Sequence, residues 1–407
     1  MSEFRITNFE QADKALRNNN LRQALYDEGA VLMEKVLVNL HGDEHRARRL
    51  VESLVFRRDF FKYYEQEVFP PTLAQTIEPF VAQGRADLVD FGYRVLLNLT
   101  ADFAGIDRPE KSTDETTALL QMNRTFGQAA VLGQTTRDKE VVRAEIRAAL
   151  AAFDERFFTP SRRRREELLA RHARGEIAED ALPRDILLVL LQHNDELKLS
   201  HDVLLKEIAF YLLAGAFTSI HSMTHSMHEL LDWLERHPED RARVKSDPFF
   251  LQRCIHESMR LHPSAPVATR KPVCPVHLPA GDAASEDDKV LIDLIAANTD
   301  PNVYGPDAAE YNPHRELGKG RPSYGLSFGL GMHACLGRNL AAGVNPMPDT
   351  DPATHQYGTV TLICRALVEA GARIDPNDAP RKDTTNTRPN WGYYPVLLGP
   401  VAAERVA

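Results

Sequence analysis

The stretch SFGLGMHACLGRNLAAG, residues 327–343, decides the fold of this chain, because it gathers glycines, a histidine and a cysteine at the entry of a predicted helix. Cys335 is one of only four cysteines, and no two of them form a CxxC pair. This usage argues against a disulfide framework and a structural zinc site. Three explanations of Cys335 are open at this point: a buried apolar thiol, part of a dinucleotide site, or a metal ligand.

The dinucleotide explanation rests on a match to G-x-G-x-x-A, followed by acidic residues further along the chain. The residues concerned are Gly329, Gly331, Ala334, Asp349 and Asp351. Such a fingerprint should follow a strand and open a βαβ unit, whereas this one follows an irregular stretch. A metal ligand fits better, because a helix N-terminus lowers the pKa of a thiol and flanking glycines let the backbone approach something large and flat.

Composition and charge exclude several classes of protein. The chain has 407 residues, 43% of them hydrophobic, and a net charge of -9, which disfavours sequence-independent binding to nucleic acid. No long uncharged apolar run and no signal peptide are visible, so we expect a cytoplasmic protein without a membrane anchor. The basic run Arg162 to Arg165 is followed at once by two glutamates, which favours a solvated helix face over a polyanion site.

Helical patterns dominate the chain to about residue 260. The longest predicted helices cover 140–158 and 202–237, the second with Ser200 as N-cap, and a shorter one covers 247–263. Prolines and short β-like runs such as KVLIDLIAA (289–297) follow. The pattern predicts one mainly α-helical domain over residues 1–407, with a minor β component mostly in the C-terminal half.

FGLGMHACLG matches the haem-binding signature F-x-x-G-x-[HR]-x-C-x-G, and in this respect the chain resembles the cytochrome P450 family. HESMR supplies the family's E-x-x-R pair, Glu257 and Arg260, which share one helix face. AANTDPNVYGPDAAEYNPHR (296–315) is similar to the family's meander and ends on Arg315. Without these other motifs, Glu257 and Arg260 would be read as a surface ion pair.

The resemblance implies the cytochrome P450 fold and haem b, iron protoporphyrin IX, as the cofactor. Cys335 is then the axial iron ligand, and three neighbouring loop residues contribute to the cofactor site: Phe328, Gly329 and Gly331. HRARRLV (45–51) is similar to the family's C-helix. Four side chains occupy positions that bind the haem propionates in relatives: His45, Arg49, Arg270 and His333. Such donors are needed because unpaired carboxylates in a low dielectric are costly.

LLAGAFTS (212–219) resembles the distal helix, where relatives read A-G-x-[DE]-T. The resemblance implies that Gly215 loosens the helix for oxygen and that Thr218 holds the distal hydrogen bond. Phe217 stands where an acid normally relays protons, so proton delivery must use Ser219, substrate or water, or be weak. The alternative for Thr218 is a hydroxyl that bonds back along its own helix.

Two further departures from the family concern the backbone. The customary first helix and first strand are expected to be missing, because residues 6–20 already resemble the B-helix region. VNPMPDTDPATHQYG (344–358) interrupts the helix that normally continues from the ligand cysteine, on the surface that usually meets the electron donor.

Substrate contacts are expected from residues 22–40, 210–217, 267–269 and the Tyr393–Tyr394 region. A histidine set at helical spacing (His221, His225, His228) lacks an HExxH pattern and is read as a packing face.

The function implied by the resemblance is that of a monooxygenase using O2 and two electrons. The electrons would come from a separate ferredoxin or flavodoxin chain with its reductase, since no flavin or nicotinamide site is visible. We expect hydroxylation or O-dealkylation of a small hydrophobic or aromatic molecule by a monomer. Two alternatives stay open: a peroxide-dependent or non-oxygenating haem-thiolate catalyst, and a haem sensor without turnover.

Overall fold

The computed structural model describes residues 2–318 and 320–399, and helices account for most of its regular structure. In chain order the helices are α1 Phe9–Leu16, α2 Ala30–Met33, α3 Gly42–Glu52, α4 Arg58–Tyr63, α5 Phe69–Gln83, α6 Leu88–Ala104, α7 Thr113–Ala130, α8 Lys139–Phe153, α9 Thr159–Ala173, α10 Ile186–Gln192, α11 Asn194–Leu197, α12 His201–Arg236, α13 Pro238–Ser246, α14 Phe250–Leu261, α15 Leu294–Asn298, α16 Pro301–Tyr304, α17 Arg338–Ala342 and α18 Thr359–Glu369. Short π-helical turns join α4 to α5 and α8 to α9.

The strands are short, and most of them follow residue 264, as the sequence predicts. They are β1 Glu3–Ile6, β2 Leu21–Gln23, β3 Arg85–Asp87, β4 Val267–Pro272, β5 Val276–His277, β6 Ala283–Ala284, β7 Lys289–Asp293, β8 Arg373–Ile374, β9 Arg381–Lys382, β10 Trp391–Tyr393 and β11 Pro395–Leu397. The largest sheet has the order β1-β7-β4-β2, in which β1 runs parallel to β7 and the other pairs are antiparallel. A three-stranded sheet has the order β3-β11-β8.

The central helix is α12, which is apolar along much of its length and lies in the core. Ser200 caps it by accepting a hydrogen bond from the Val203 N–H at 3.3 Å, and Pro238 begins the next helix. Within the described ranges, α12 is the one helix long and apolar enough to cross a membrane. Its burial against α6, α7 and α14 is that of a core helix in a globular fold.

Two hydrophobic clusters hold the fold together. The larger one joins α12 to α6, α14 and α18, and the smaller one lies where α1 and α15 pack on the four-stranded sheet. Along β4 and β7 buried and half-buried residues alternate, because successive side chains of a strand point to opposite faces. The structure therefore has the mainly helical architecture with a minor β component that the sequence predicts.

The E-x-x-R pair is part of a buried ion-pair network that fastens α14 to the irregular segment after α16. Arg260 donates to both oxygens of Glu257 at 2.8 and 2.7 Å and to the carbonyls of Asn298 and Ala308. Arg315 donates to Glu257 at 3.1 Å and to Asp307 at 2.7 Å. The meander arginine thus joins the pair, as the family resemblance implies.

Three local expectations are wrong, each because a neighbouring contact decides the outcome. The helix expected from 247 begins at Phe250, since Asp247 instead accepts a hydrogen bond from the Phe249 N–H in a preceding turn. The β-run ends at Asp293, whose carboxylate caps α15. Arg165 is not on a solvated face but buried, bonded to Asp185 at 2.9 Å and to Asp107.

The amino end of the described chain contributes to the largest sheet. Residues Glu3–Ile6 form an edge strand, and α1 follows it directly. The expectations that the family's first helix and strand are missing, and that residues 1–407 form one domain, stay predictions.

Candidate functional site

One cavity of about 320 Å³ brings together nearly all of the residues that the sequence predicts for the site. The predicted residues that line it are His45, Arg49, Gly215, Thr218, Ser219, Arg270, Phe328, Gly329, His333 and Cys335. A larger cleft of about 1170 Å³ lies between α5, α6 and residues 183–185, and none of the predicted site residues lines it. We therefore assign the site to the smaller cavity, because its chemistry rather than its size identifies it.

Cys335 lies in the turn before the single-turn helix α17, and its thiol faces the cavity. Its own N–H donates to the Phe328 carbonyl at 2.9 Å, which closes the loop around it. The Cys335 side chain is exposed to the cavity, whose enclosure raises the pKa of its thiol, and the N–H groups of Gly337 and Arg338 and the positive charge of Arg49 oppose that rise. Two backbone donors therefore stabilise negative charge on the sulfur.

The glycines of this loop have different positions. Gly329 has a φ of +63° and lines the cavity. Gly331 has a φ of +66° and does not line it, because a Cβ there would come within 2.9 Å of the backbone of Leu16 and Arg17. Gly331 thus lets the loop approach the end of α1, and its cofactor-binding role stays a prediction.

Two histidines, the buried His45 and the half-buried His333, line the cavity with unpartnered nitrogens. The rings of His45 and His333 meet edge to face at 4.7 Å, and Nε2 of each has no hydrogen-bond partner. Burial lowers the pKa of His45 to about 4 and that of His333 to about 3, with nearby arginines adding to both shifts. Buried donors without partners are costly, so this pair is suited to an anionic acceptor in the cavity.

Arginines complete this side of the cavity. Arg49 donates to the Ala334 carbonyl, one residue before Cys335. Arg270 donates to Gln23 at 2.7 Å across the β2–β4 pair, and burial lowers its pKa to about 10. Among the described residues both arginines bond neutral acceptors and neither has a carboxylate partner, so both keep donors for an anion.

A buried network fixes α3 and thereby the direction of His45 and Arg49. Arg48 bonds Glu52 at 3.1 Å and also pairs with Glu207 of α12, whose carboxylate accepts from the Leu37 N–H. Tyr211 donates to the other oxygen of Glu52. Arg48 and Glu52 lie on the side of α3 that meets Glu207 and Tyr211 of α12, so this network sets the rotation of the helix that carries His45 and Arg49.

The opposite wall is formed by α12. A Cβ on Gly215 would come within 2.7 Å of the Thr100 methyl group, so this glycine lets α6 approach closely. The α-helix is continuous through Gly215, and the Thr218 hydroxyl donates to the Ala214 carbonyl at 2.7 Å. That bond along the helix is the alternative described above, and the oxygen of Thr218 can still accept a hydrogen bond.

Phe217 of α12 occupies the position where an acid is expected, and its side chain is buried against α7. Its ring meets His221 edge to face at 4.5 Å, and a Cβ on Gly127 would come within 2.9 Å of it. The missing side chain at Gly127 therefore makes room for the aromatic ring. Both nitrogens of His221 lack partners, and burial lowers its pKa to about 3, so the imidazole is neutral.

The other two histidines of this set pack as expected. His225 stacks on His262 at 4.4 Å, and His228 meets the Tyr394 hydroxyl at 3.0 Å through Nδ1. No cluster of three metal-ligating side chains occurs among the described residues.

Three of the four segments expected to contact substrate line the cavity, and the fourth does not, so the substrate contacts themselves stay a prediction. Tyr26, Phe210 and Ala268 represent the three segments in the cavity wall. Tyr393 and Tyr394 do not line the cavity, because the first bonds Asp378 and the second is buried against His228. Arg388, from the segment between β9 and β10, lines it instead. The sequence does not mark Arg388 as a cavity residue, because NTRPN is typical of an ordinary polar turn.

The interrupting segment forms a loop that is closed at its base. The Val344 N–H donates to the Gln356 carbonyl at 3.0 Å, and Gly343 and Gly358 lie against each other. Gln252 of α14 donates to the carbonyls of Ala342, Val344 and Tyr357. The chain thus leaves α17 and enters α18 at nearly the same point, and the expected interruption is confirmed.

The donors around the cavity fit an iron porphyrin. A thiolate is a suitable axial ligand for its iron, and the unpartnered histidine nitrogens and two arginines match its two carboxylates. Cys335 would hold the iron, and His45, Arg49, Arg270 and His333 would bind the propionates.

Comparison with known proteins agrees with this chemistry. The model of the family described as Cytochrome P450 matches residues 161–343. A C-19 steroid 1alpha-hydroxylase from Sorangium cellulosum is 28% identical over 313 residues, which cover 75% of this chain and 70% of that enzyme. An alkane hydroxylase from Arabidopsis thaliana is 28% identical over 48% of this chain and 42% of its own length.

The fold comparison covers nearly the whole chain. The crystal structure of CalO2 superposes with a TM-score of 0.72 at 20% identity and covers 97% of this chain and 90% of its own. The cavity, its thiol and these matches lead to one conclusion: over residues 161–343 the chain is similar to the cytochrome P450 family, and its fold is that of solved cytochrome P450 structures.

Proposed function

We propose that this protein uses O2 and two electrons to hydroxylate or O-dealkylate a small hydrophobic or aromatic molecule. The observation that carries the proposal is that a single cavity is lined by Cys335 on one side and by Gly215 and Thr218 on the other. When bound there, haem supplies the oxygen activation that the family uses for such reactions. The protein's own residues hold the cofactor, orient the substrate and handle protons.

The cofactor-holding residues act from three directions. Cys335 ligates the iron, and the loop with Phe328, Gly329 and Gly331 shapes the backbone around it. The propionates are bound by His45, Arg49, Arg270 and His333. These side chains come from α3, β4 and the cysteine loop, so the cofactor links elements that are distant in the sequence.

Proton handling in this protein differs from the family pattern at one position. Phe217 cannot donate a proton, and its ring is wedged between Gly127 and His221. We assign the distal hydrogen bond to Thr218, with Ser219 and cavity water as the route for protons. Slow proton delivery would favour the second candidate function, in which hydrogen peroxide drives the reaction or no oxygen is inserted.

The electrons come from a separate ferredoxin or flavodoxin with its reductase. The electron donor binds on the surface near α17. The closed loop 344–358 is part of this surface and alters the shape available for docking. We propose that the protein works in the cytoplasm as a monomer, without a membrane or nucleic-acid partner.

The test combines a spectrum with turnover. The reduced carbon monoxide complex of the wild-type protein should show the absorption band of a thiolate-ligated haem. Cys335→Ser should abolish this band. The control Cys274→Ser, at a half-buried thiol outside the cavity, should keep it. A normal band in Cys335→Ser would refute the ligand assignment.

Turnover then separates the candidate reactions. A substrate found by screening should be converted with reductase, ferredoxin and O2 but not with hydrogen peroxide alone. Conversion by peroxide alone would establish the second candidate, and electron consumption that never depends on substrate would indicate a sensor.

A further inference from the structure

The side chains that line the cavity carry positive charge without matching negative charge. Three arginines line it, Arg49, Arg270 and Arg388, and no aspartate or glutamate does so within the part of the chain that the structure describes. Buried positive charge without a counter-ion is costly, so the complete site must contain anions. If the cofactor supplies fewer anions than the arginines require, the substrate must supply the remaining one.

The proposed function accounts for two of the three arginines. Arg49 and Arg270 lie with His45 and His333 on the side of Cys335, where two propionates would neutralise them. The third arginine lies elsewhere. Arg388 bonds the Ser264 carbonyl at 2.9 Å, and the Ser264 hydroxyl donates to the Thr218 carbonyl at 3.0 Å. Arg388 is therefore next to the distal helix rather than the propionate side.

The contacts of Arg388 leave its charge uncompensated. Its side chain bonds three neutral acceptors, Gln134 Oε1, the Ala130 carbonyl and the Ser264 carbonyl, and the residue is only 4% exposed. Burial lowers its pKa, yet a guanidinium stays charged in proteins. These three bonds engage three of its N–H groups, and one N–H on each Nη remains for a ligand.

Two parallel N–H groups on one guanidinium match the two oxygens of a carboxylate. The cavity wall carries the hydroxyl groups of Ser222 and Ser264 close to this arginine, and its apolar residues include Ala130, Leu213 and Phe217. An apolar body with one carboxylate would satisfy both features. It would also supply the counter-ion that the protein lacks there.

We propose that the substrate is an organic acid whose carboxylate pairs with Arg388 while its apolar body extends towards the haem. This inference rests on the proposed function, because the propionates must engage the other two arginines. Arg388 is then the residue that determines specificity for acids. It holds the substrate at a fixed distance from the distal helix and takes no part in the chemistry.

The experiment measures binding to the haem-loaded protein by the ligand-induced spin-state shift and by equilibrium dialysis. The acids are 4-methoxybenzoate, 4-phenylbutanoate and decanoate. Each acid is compared with its primary amide, which has the same shape and no charge. At least one acid should bind ten times more tightly than its amide. Amides that bind as tightly as the acids, or a set of acids of which none binds, would overturn the proposal.

Substitutions of Arg388 test whether its charge, and not only its packing, gives the preference for acids. Arg388→Gln should reduce the ratio of acid to amide affinity to about one, and Arg388→Lys should keep part of it. Arg381→Gln removes a charge from the same hairpin at a side chain that is 64% exposed, and it should keep the full ratio. If Arg388→Gln does not fold, the wild-type protein and Arg388→Lys still decide. Equal binding of acids and amides by the wild-type protein contradicts the assignment, and so does a full wild-type ratio in Arg388→Lys.

The carbon monoxide band distinguishes failure of the proposed function from failure of the substrate assignment. Loss of the thiolate band in the wild-type protein would overturn the proposed function and this inference with it. A normal band without preference for acids would overturn the substrate assignment alone.

Discussion

Replacing Gly343 by alanine tests the closed base of the loop between α17 and α18. Gly343 has φ +72° and ψ -159°, a region that is essentially restricted to glycine, and an added Cβ would lie 2.4 Å from the Gln356 carbonyl oxygen. The backbone strain costs about 1–3 kcal/mol. Relief of the overlap by backbone movement costs about 1–3 kcal/mol more. We expect Gly343→Ala to lower the free energy of unfolding by about 4 kcal/mol.

A matched control isolates the overlap from the strain. Gly175, after α9, has φ +74°, and an added Cβ there would meet nothing within 4 Å. Gly175→Ala should cost about 1 kcal/mol, the price of a left-handed conformation alone. The assay is urea denaturation of the haem-loaded protein, followed by far-UV circular dichroism and by haem absorbance. The midpoint shift for Gly343→Ala should be several times that for Gly175→Ala.

A functional consequence follows from the position of Gly343. It ends the short helix that begins three residues after Cys335, so displacement at this point should disturb the thiolate. Gly343→Ala should lose part of the carbon monoxide thiolate band, and Gly175→Ala should keep it. Equal midpoint shifts for the two variants, with both bands intact, would refute the closed-base geometry.

Two further predictions concern buried carboxylates. Glu65 accepts hydrogen bonds from the Tyr357 and Gly358 N–H groups, and burial raises its pKa from 4.5 to about 7. Its folded-state pKa lies above the unfolded value, so its contribution to stability is complete below pH 4.5 and is lost as the pH rises through about 7. Glutamine can accept only one of the two N–H bonds at any pH, so the stability of Glu65→Gln relative to wild type should differ only through pH: it should be higher at pH 8 than at pH 4.5 by on the order of 3 kcal/mol, measured by urea denaturation. An equal difference from wild type at both pH values would contradict this. Glu257→Gln leaves Arg260 and Arg315 without their shared counter-charge and should cost about 3–5 kcal/mol with loss of bound haem. Glu316→Gln, at an exposed carboxylate nearby, is its control, and similar urea midpoints for the two variants would show that the network contributes little.

Local sequence patterns predicted those parts of the site that lie on one short segment. The spacing around Cys335 identified the thiol loop, and Glu257 with Arg260 identified the buried pair on α14. Ser200 marked the start of α12 because an N-cap acts on a backbone N–H three residues away. Such interactions depend on neighbours within one helical turn, so the sequence contains them directly.

Contacts between distant segments were not predicted. Arg388 faces the cavity because its partners lie in α7 and in the turns that follow α7 and α14, between about 120 and 260 residues earlier. Gln252 bonds carbonyls about a hundred residues later, and Glu65 bonds the start of α18 nearly three hundred residues later. No local periodicity marks these side chains, and the expectation for Tyr393 and Tyr394 failed for the same reason.

The sequence by itself indicated the family resemblance, the haem-thiolate chemistry that the resemblance implies and the departure at Phe217, because each depends on residue types at fixed spacing. Only the tertiary structure decided which charges meet. It joined α3 to α12 through Arg48 and closed the loop at Gly343 and Gly358. It also left Arg388 as an uncompensated cation beside the distal helix. The physical reason is that electrostatic balance and close packing belong to the whole cavity, whose walls come from segments that only the fold brings together.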